Sequence, residues 1–148
     1  MKVLSLTQPW ASLICLGAKK IETRSWKSWY YGPLLIHASK SYPKWARETA
    51  MEEYFVDALT PHGVWAQPES VLGCIIGQVT LARCVPTTSP SLELDARELA
   101  FGDYSPGRWA WILEDGHFLP KPIPVKGSLG IWEYNTDPQT EADKWRVQ

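Results

Sequence analysis

No apolar run in this 148-residue sequence approaches the roughly 20 residues that a membrane-spanning helix needs, so no membrane association is expected. Its first residues, MKVLSLTQPW, place Gln8 and Pro9 where a signal peptide would continue its apolar stretch, and a cytoplasmic location is the expectation. Cysteine is scarce. Cys15, Cys74 and Cys84 form neither an even disulfide set nor a CxxC pair, in keeping with a reducing compartment. The three histidines lie far apart, so the four-ligand set of a structural zinc site is not expected, and no metal or cofactor is indicated. Neither sign of charge dominates: 15 Lys and Arg stand against 16 Asp and Glu, a net charge of -1. That balance excludes the broad basic surface that gives non-specific affinity for nucleic acid, so any nucleic-acid or nucleoside site must be local. Internal repeats and low-complexity tracts are also missing.

What is present fits one compact domain of ordinary size, with 45% hydrophobic and 21% charged residues. We expect it over residues 1–135, followed by a polar tail over 136–148. Nine tryptophans are more than so small a core needs for packing, and indoles also serve as stacking surfaces for bases.

Hydrophobic periodicity and turn residues outline the elements. Val3 to Leu6 reads as a strand, and TQPWASLICLG as a short helix capped by Thr7 or Gln8, with Pro9 in its first turn and Gly17 ending it. Lys20 to Ser25 alternates as a strand, placing Lys20, Glu22 and Arg24 on one face and Ile21 and Thr23 on the other. Gly32-Pro33 reads as a turn, PLLIHAS as a buried strand, and YPKWARETAMEEYFVDAL as one long helix. After a loop over Thr60 to Ser70, VLGCIIGQVTLARCV is a long strand bent at Gly73 and Gly77. LELDARELA is a short helix ending at Phe101-Gly102. RWAWILED and HFLPKPIPVKG form a hairpin around Asp115-Gly116, and IWEY closes the sheet. About six strands and few helices predict an α+β domain built on a small, curved mixed β-barrel with covering helices.

The placed segments carry a family resemblance. Gln8, Pro9 and Trp10, followed by Gly17, Lys19, Glu22, Arg24 and Trp26, resemble the QPW-type helix start and GxKxxExR signature of the ASCH domain, the activating-signal-cointegrator homology domain of the PUA-like superfamily. GPLLIHASK, VLGCIIGQVTLARCV, RWAWILED and PIPVKGSLGIWEY look like the later strands of that family, so the resemblance runs from Val3 to Tyr134. It implies a barrel of five or six strands with a cleft between barrel and helices. It also implies either RNA or nucleoside handling, or hydrolysis, as in members that cleave N4-acetylcytidine or RNA. In the amidohydrolase members the lysine at the position of Lys19 is catalytic, working with a threonine three residues later and a distant glutamate. Here that third residue is Glu22, so the hydroxyl is missing.

Two roles follow for the signature. As an enzyme, the catalytic pair would be Lys19, reaching the cleft from its rim, and Glu22; side chains of these types can act as nucleophile or general base. Equally, Glu22 could accept a hydrogen bond from an exocyclic amine or pair with Lys19 or Arg24. As a binder of RNA, single-stranded nucleic acid or a modified nucleoside, the cleft would use Gln8, Trp10, Lys20, Arg24 and Trp26. Ser39, Lys126 and the loop residues Tyr104 and Arg108 would complete it. Trp10 and Trp26 would stack, whereas Arg24 offers a fork for phosphate or for Glu22. The free N–H groups of the helix start at Pro9 form a further candidate anion seat. His37, flanked by apolar residues in a strand, reads as a satisfied, partly buried histidine. A protein-interaction surface made of exposed aromatics is the third alternative.

Overall fold

The computed structural model describes residues 1–62 and 68–136. Six strands form one sheet. They are β1 (Lys2–Leu6), β2 (Ile21–Arg24), β3 (Gly32–Ala38), β4 (Cys74–Pro86), β5 (Trp109–Pro124) and β6 (Ile131–Glu133), in the spatial order β2-β5-β4-β3-β1-β6. β1 and β3 are parallel and the other pairs antiparallel, so the sheet is mixed. Among the described residues no ladder joins the two ends, β2 and β6, and the curled sheet is a half-barrel. Among the described residues four short α-helices flank it: α1 (Trp10–Cys15), α2 (Lys44–Thr49), α3 (Glu53–Leu59) and α4 (Ala96–Phe101). None is long and apolar enough to cross a membrane.

The curl comes from β4 and β5. These long strands pair along their whole lengths with register shifts at Ile75/Gly77, Gln78/Thr80 and Leu81/Arg83, and each shift adds local bend and twist. Gly77 sits at one of them, as its sequence position predicts. The expected hairpin at Asp115-Gly116 is not there: β5 runs straight through as one strand of 16 residues. Asp115 has φ 56. A Cβ on Gly116 would fall 2.4 Å from the Ile14 carbonyl oxygen, so this glycine serves close helix-on-strand packing and not a chain reversal. Gly77 does the same from β4, since a Cβ there would lie 2.4 Å from Cys15 Sγ and from the His117 carbonyl oxygen. The two glycines let the end of α1 rest directly on the ribbon. Under it lies the main core, with Leu4, Leu34, Ile36, Val79, Leu81 and Trp111 fully or almost fully buried.

Two further expectations need correction. The single long helix is two, because Ala46 and Ala50 keep helical spacing but the next buried residue, Phe55, is five positions on, about 140° off that face. Glu52 is extended (φ -70, ψ 150), which resets the phase so that Phe55 and Leu59 can pack with Leu13 and Phe101. Gly32-Pro33 opens β3 and is not a turn: Gly32 pairs with Leu81 and Pro33 with Thr80. Trp65 and Trp145, and the tail from 137 onward, lie outside the described residues.

Candidate functional site

β2 is an edge strand, so its outer margin faces a gap and not a neighbouring strand. A cleft of about 520 Å³ runs along it, bounded by the end of β1 (Ser5 to Thr7), Trp10 of α1, Trp45 of α2, the end of α4 and Arg108. Because the cleft follows an edge, both Glu22 and Thr23 reach it; alternation alone would have put them on opposite sides. Thr23 is therefore a residue the sequence reading missed. Its Oγ1 accepts from the Asp103 N–H at 3.0 Å, and its carbonyl accepts from Arg108 Nη2 at 3.1 Å.

The charges of the cleft form a chain. Glu22, 8% exposed, takes Arg24 Nη1 on Oε2 at 3.3 Å, and the Thr23 N–H on Oε1 at 3.1 Å. Lys19 Nζ lies 3.6 Å from the same Oε1 and donates to the Ile21 carbonyl. The Lys19 side chain has no exposed surface and is not part of the cleft wall, so it does not reach the cleft from a rim. It props Glu22 from behind. Arg24 is held from its other side by indoles, its Cζ lying 5.5 Å from the Trp26 ring and 5.8 Å from the Trp111 ring. Trp26 itself packs edge-on against Trp111 at 4.7 Å and does not line the cleft.

The aromatic wall is a pair. Trp10 donates from Nε1 to the Phe101 carbonyl at 2.9 Å and meets Trp45 with ring centroids 5.8 Å apart and planes at 40°. Trp45 is 59% exposed. Its position on a helix gave no hint of this pairing, which depends on how α2 crosses the start of α1. On the far side, Arg108 Nε donates to the Asp103 carbonyl at 3.1 Å. Ser105 binds Asp103 Oδ1 through both its backbone N–H (3.0 Å) and its hydroxyl (2.5 Å). Those bonds, with Arg108 nearby, hold the Asp103 carboxyl below the usual carboxylate range. The DYS sequence, an acid two residues before a hydroxyl, is the local signal for this turn.

Other expected site residues sit elsewhere. Gln8 is completely buried: its Oε1 accepts from the Ser12 N–H at 3.0 Å and its Nε2 donates to Ser12 Oγ at 2.7 Å. It caps α1 from within, and with Ala11 N–H on Thr7 and Leu13 N–H on Pro9 the first turn is largely occupied, which removes the proposed anion seat. Lys20 precedes β2, is exposed and borders a separate hollow of about 310 Å³ beside Gly17 and Gly116. Tyr104 packs against Gly102 behind the cleft, not over it. Its hydroxyl is buried and has no partner among the described residues, and burial raises its pKa. Glu98 lies nearby, one oxygen taking the Lys20 N–H at 2.7 Å and the other unpartnered; burial raises its pKa as well.

Beyond Arg24 the cleft opens into a second, larger hollow of about 900 Å³, and the two share Ser5, Arg24 and Ser39. Lys126 borders this second part. At its floor Trp132 Nε1 donates to Ser5 Oγ (3.1 Å), which faces His37 Nδ1 at 2.9 Å, while His37 Nε2 faces the Val125 carbonyl at 2.8 Å. A carbonyl can only accept, so Nε2 carries a proton, and in the neutral ring Nδ1 then accepts from Ser5. His37 is thus a satisfied, buried histidine that ties β6, β1 and β3 to the end of β5. No group of three or more His, Cys, Asp and Glu side chains arranged for a metal occurs among the described residues.

Comparison with known proteins adds the following. The family model described as the ASCH domain matches residues 4–116. Activating signal cointegrator 1 of Homo sapiens is 27% identical over 133 residues, and that of Mus musculus 26%; the match takes in 90% of this chain and 22% of theirs. The chain therefore spans about a fifth of the length of the curated relatives it matches. The crystal structure of ASCH from Zymomonas mobilis superposes with a TM-score of 0.55 at 13% identity, covering 99% of this chain and 96% of that one. A mutant form of the same protein gives 0.54 at 14% identity, covering 97% and 96%. At such identities the likeness is one of fold.

Proposed function

Since the chain belongs to the ASCH domain family, we propose that it binds RNA, single-stranded nucleic acid or a modified nucleoside, with a base seated in the cleft along β2. The observation that carries this reading is the placement of a tryptophan pair, one member largely exposed, across from the Glu22–Arg24 pair. An indole face accepts any base by stacking. A carboxylate and a guanidinium side by side then offer an acceptor for an exocyclic amine and a donor fork for a carbonyl or phosphate oxygen. Thr7 and Ser39 add hydroxyls at the rim.

A hydrolase using Lys19 and Glu22 finds less support in the same geometry. The Lys19 amine is committed to a carbonyl and a carboxylate, sealed from the cleft, and works as a positioning group for Glu22. The test is titration with nucleosides and short single-stranded RNA at low salt, followed by tryptophan fluorescence. Trp45→Ala removes an exposed ring, so the fold is expected to stay intact, and stacking losses of about 1–3 kcal/mol per base predict about tenfold weaker binding. Absence of binding by every nucleoside and oligonucleotide sinks the proposal. Turnover of N4-acetylcytidine or RNA that disappears in Glu22→Gln would replace it with the hydrolase reading.

A further inference from the structure

The two parts of the groove differ in chemistry. Near the tryptophan pair, Glu22 and Asp103 offset Arg24 and Arg108. In the second hollow Arg24, Lys40 and Lys126 stand with four serine hydroxyls, among them Ser41 and Ser128, and among the described residues no carboxylate lines it. Arg24 is paired with Glu22, so the local excess of positive charge comes from Lys40 and Lys126. Lys2 and Lys44 each pair with a glutamate, but neither Lys40 nor Lys126 is in any ion pair among the described residues. Among the described residues no tryptophan, tyrosine or phenylalanine lines this part, and the His37 ring that does is buried.

The mounting of the two lysines is firm. Lys40 follows Ser39, whose N–H is bound to the Leu6 carbonyl at 2.8 Å, and Lys126 follows Val125, bound through its N–H to Gly73 at 3.1 Å and through its carbonyl to His37. Gly127 lies against the floor so closely that a Cβ would fall 2.7 Å from His37 Cε1 and 2.8 Å from Ser5 Oγ. Both lysines thus border the hollow from backbone next to residues tied to the sheet, which limits the ordering cost of binding an anion there.

We propose that this hollow is a phosphate subsite. It takes the backbone phosphates next to the base held by the tryptophan pair, with Arg24 serving both parts, so that the ligand is a nucleotide or short single strand and not a free nucleoside. The inference rests on the reading of the cleft given above and adds the class of ligand to it. Paired cations and hydroxyls suit phosphate oxygens, and lysine contacts to phosphate make affinity depend on salt.

The experiment compares cytidine, cytidine monophosphate and a short oligocytidylate on the wild-type chain and on Lys40→Gln/Lys126→Gln at several salt concentrations. The oligonucleotide is expected to bind at least tenfold more tightly than the nucleoside at low salt. In the double variant that advantage should fall about tenfold, and the slope of log affinity against log salt should flatten by about 1.4, two phosphate contacts' worth. Cytidine affinity should stay within twofold. Nucleoside binding with no advantage for the phosphorylated ligands overturns this inference and leaves the cleft reading standing, as does an advantage that the double variant retains. Failure of all three ligands to bind overturns both.

Discussion

Removing either member of the Lys19–Glu22 pair should have unequal consequences, because only Glu22 has a second charged partner. At 3.6 Å and an effective dielectric near 20, the Coulomb attraction is about 4–5 kcal/mol before desolvation is subtracted. Glu22→Gln leaves the Lys19 ammonium buried with the Ile21 carbonyl alone, a stranded charge of the kind that costs about 3–5 kcal/mol. Lys19→Met keeps the stem volume and leaves Glu22 with Arg24 and the Thr23 N–H, so its main cost is one unsatisfied carbonyl, about 1–3 kcal/mol. In a chain of this size a kilocalorie corresponds to about 2–4 °C, so Glu22→Gln should lower Tm by roughly 6–20 °C and Lys19→Met by roughly 2–12 °C. The double variant should be more stable than the sum of the singles predicts, by about 1–3 kcal/mol. Urea unfolding of the four proteins measures the free energies, and thermal unfolding the shifts in Tm. Additive losses, or a Glu22→Gln protein as stable as the wild type, would refute the claim that Lys19 is there to hold Glu22.

Two other substitutions probe the frame and its titration. Gly77→Ala should cost about 1–3 kcal/mol by overpacking, since its Cβ would meet both Cys15 Sγ and the His117 carbonyl oxygen at 2.4 Å; adding Cys15→Ala should recover part of the loss, and unchanged thermal unfolding of Gly77→Ala would contradict the packing described. Burial raises the Glu98 pKa, so the folded chain holds that proton more tightly than the unfolded one. Stability from this source is full below the ordinary value of 4.5 and is lost as pH rises through the folded value. Glu98→Gln should remove that loss, and wild-type and variant stabilities that run parallel from pH 4.5 to neutrality would count against it.

Much of the frame was legible because local chemistry wrote it. Gly77 marked a bend, Asp95 caps α4 by accepting the Glu98 N–H at 2.8 Å, and β1, β3 and β6 followed from apolar runs. Where the reading failed, a local signal had two meanings. Asp115-Gly116 looks like a hairpin, yet the glycine is there to admit the Ile14 carbonyl, a contact made by α1 a hundred residues earlier in the chain. The helix break at Ala50 to Glu52 was visible in the five-residue step to Phe55, but only once Phe55 was known to face the core. Glu22, Arg24 and Trp10, which the signature gathers, do line the cleft together. Trp45, Thr23 and Asp103 reach the cleft through the crossing of helices and the position of β2 at an edge, properties that no short window contains. Gln8 was misread for the opposite reason: it belongs to the signature, but as a cap for α1.

The continuity of β5 has a consequence for what can be tuned. Arg108 immediately precedes this strand and Lys126 follows its end by two positions, yet both residues border one groove, because the ribbon with β4 is bent at three places. The span from one end of the groove to the other is therefore a property of backbone curvature, stored in bulges and in glycines that face α1. Under the proposed function, exchanging wall residues would change how strongly a ligand is held. Changing how long a ligand the groove measures would require adding or deleting a bulge, and such a change would move every wall residue on the ribbon together.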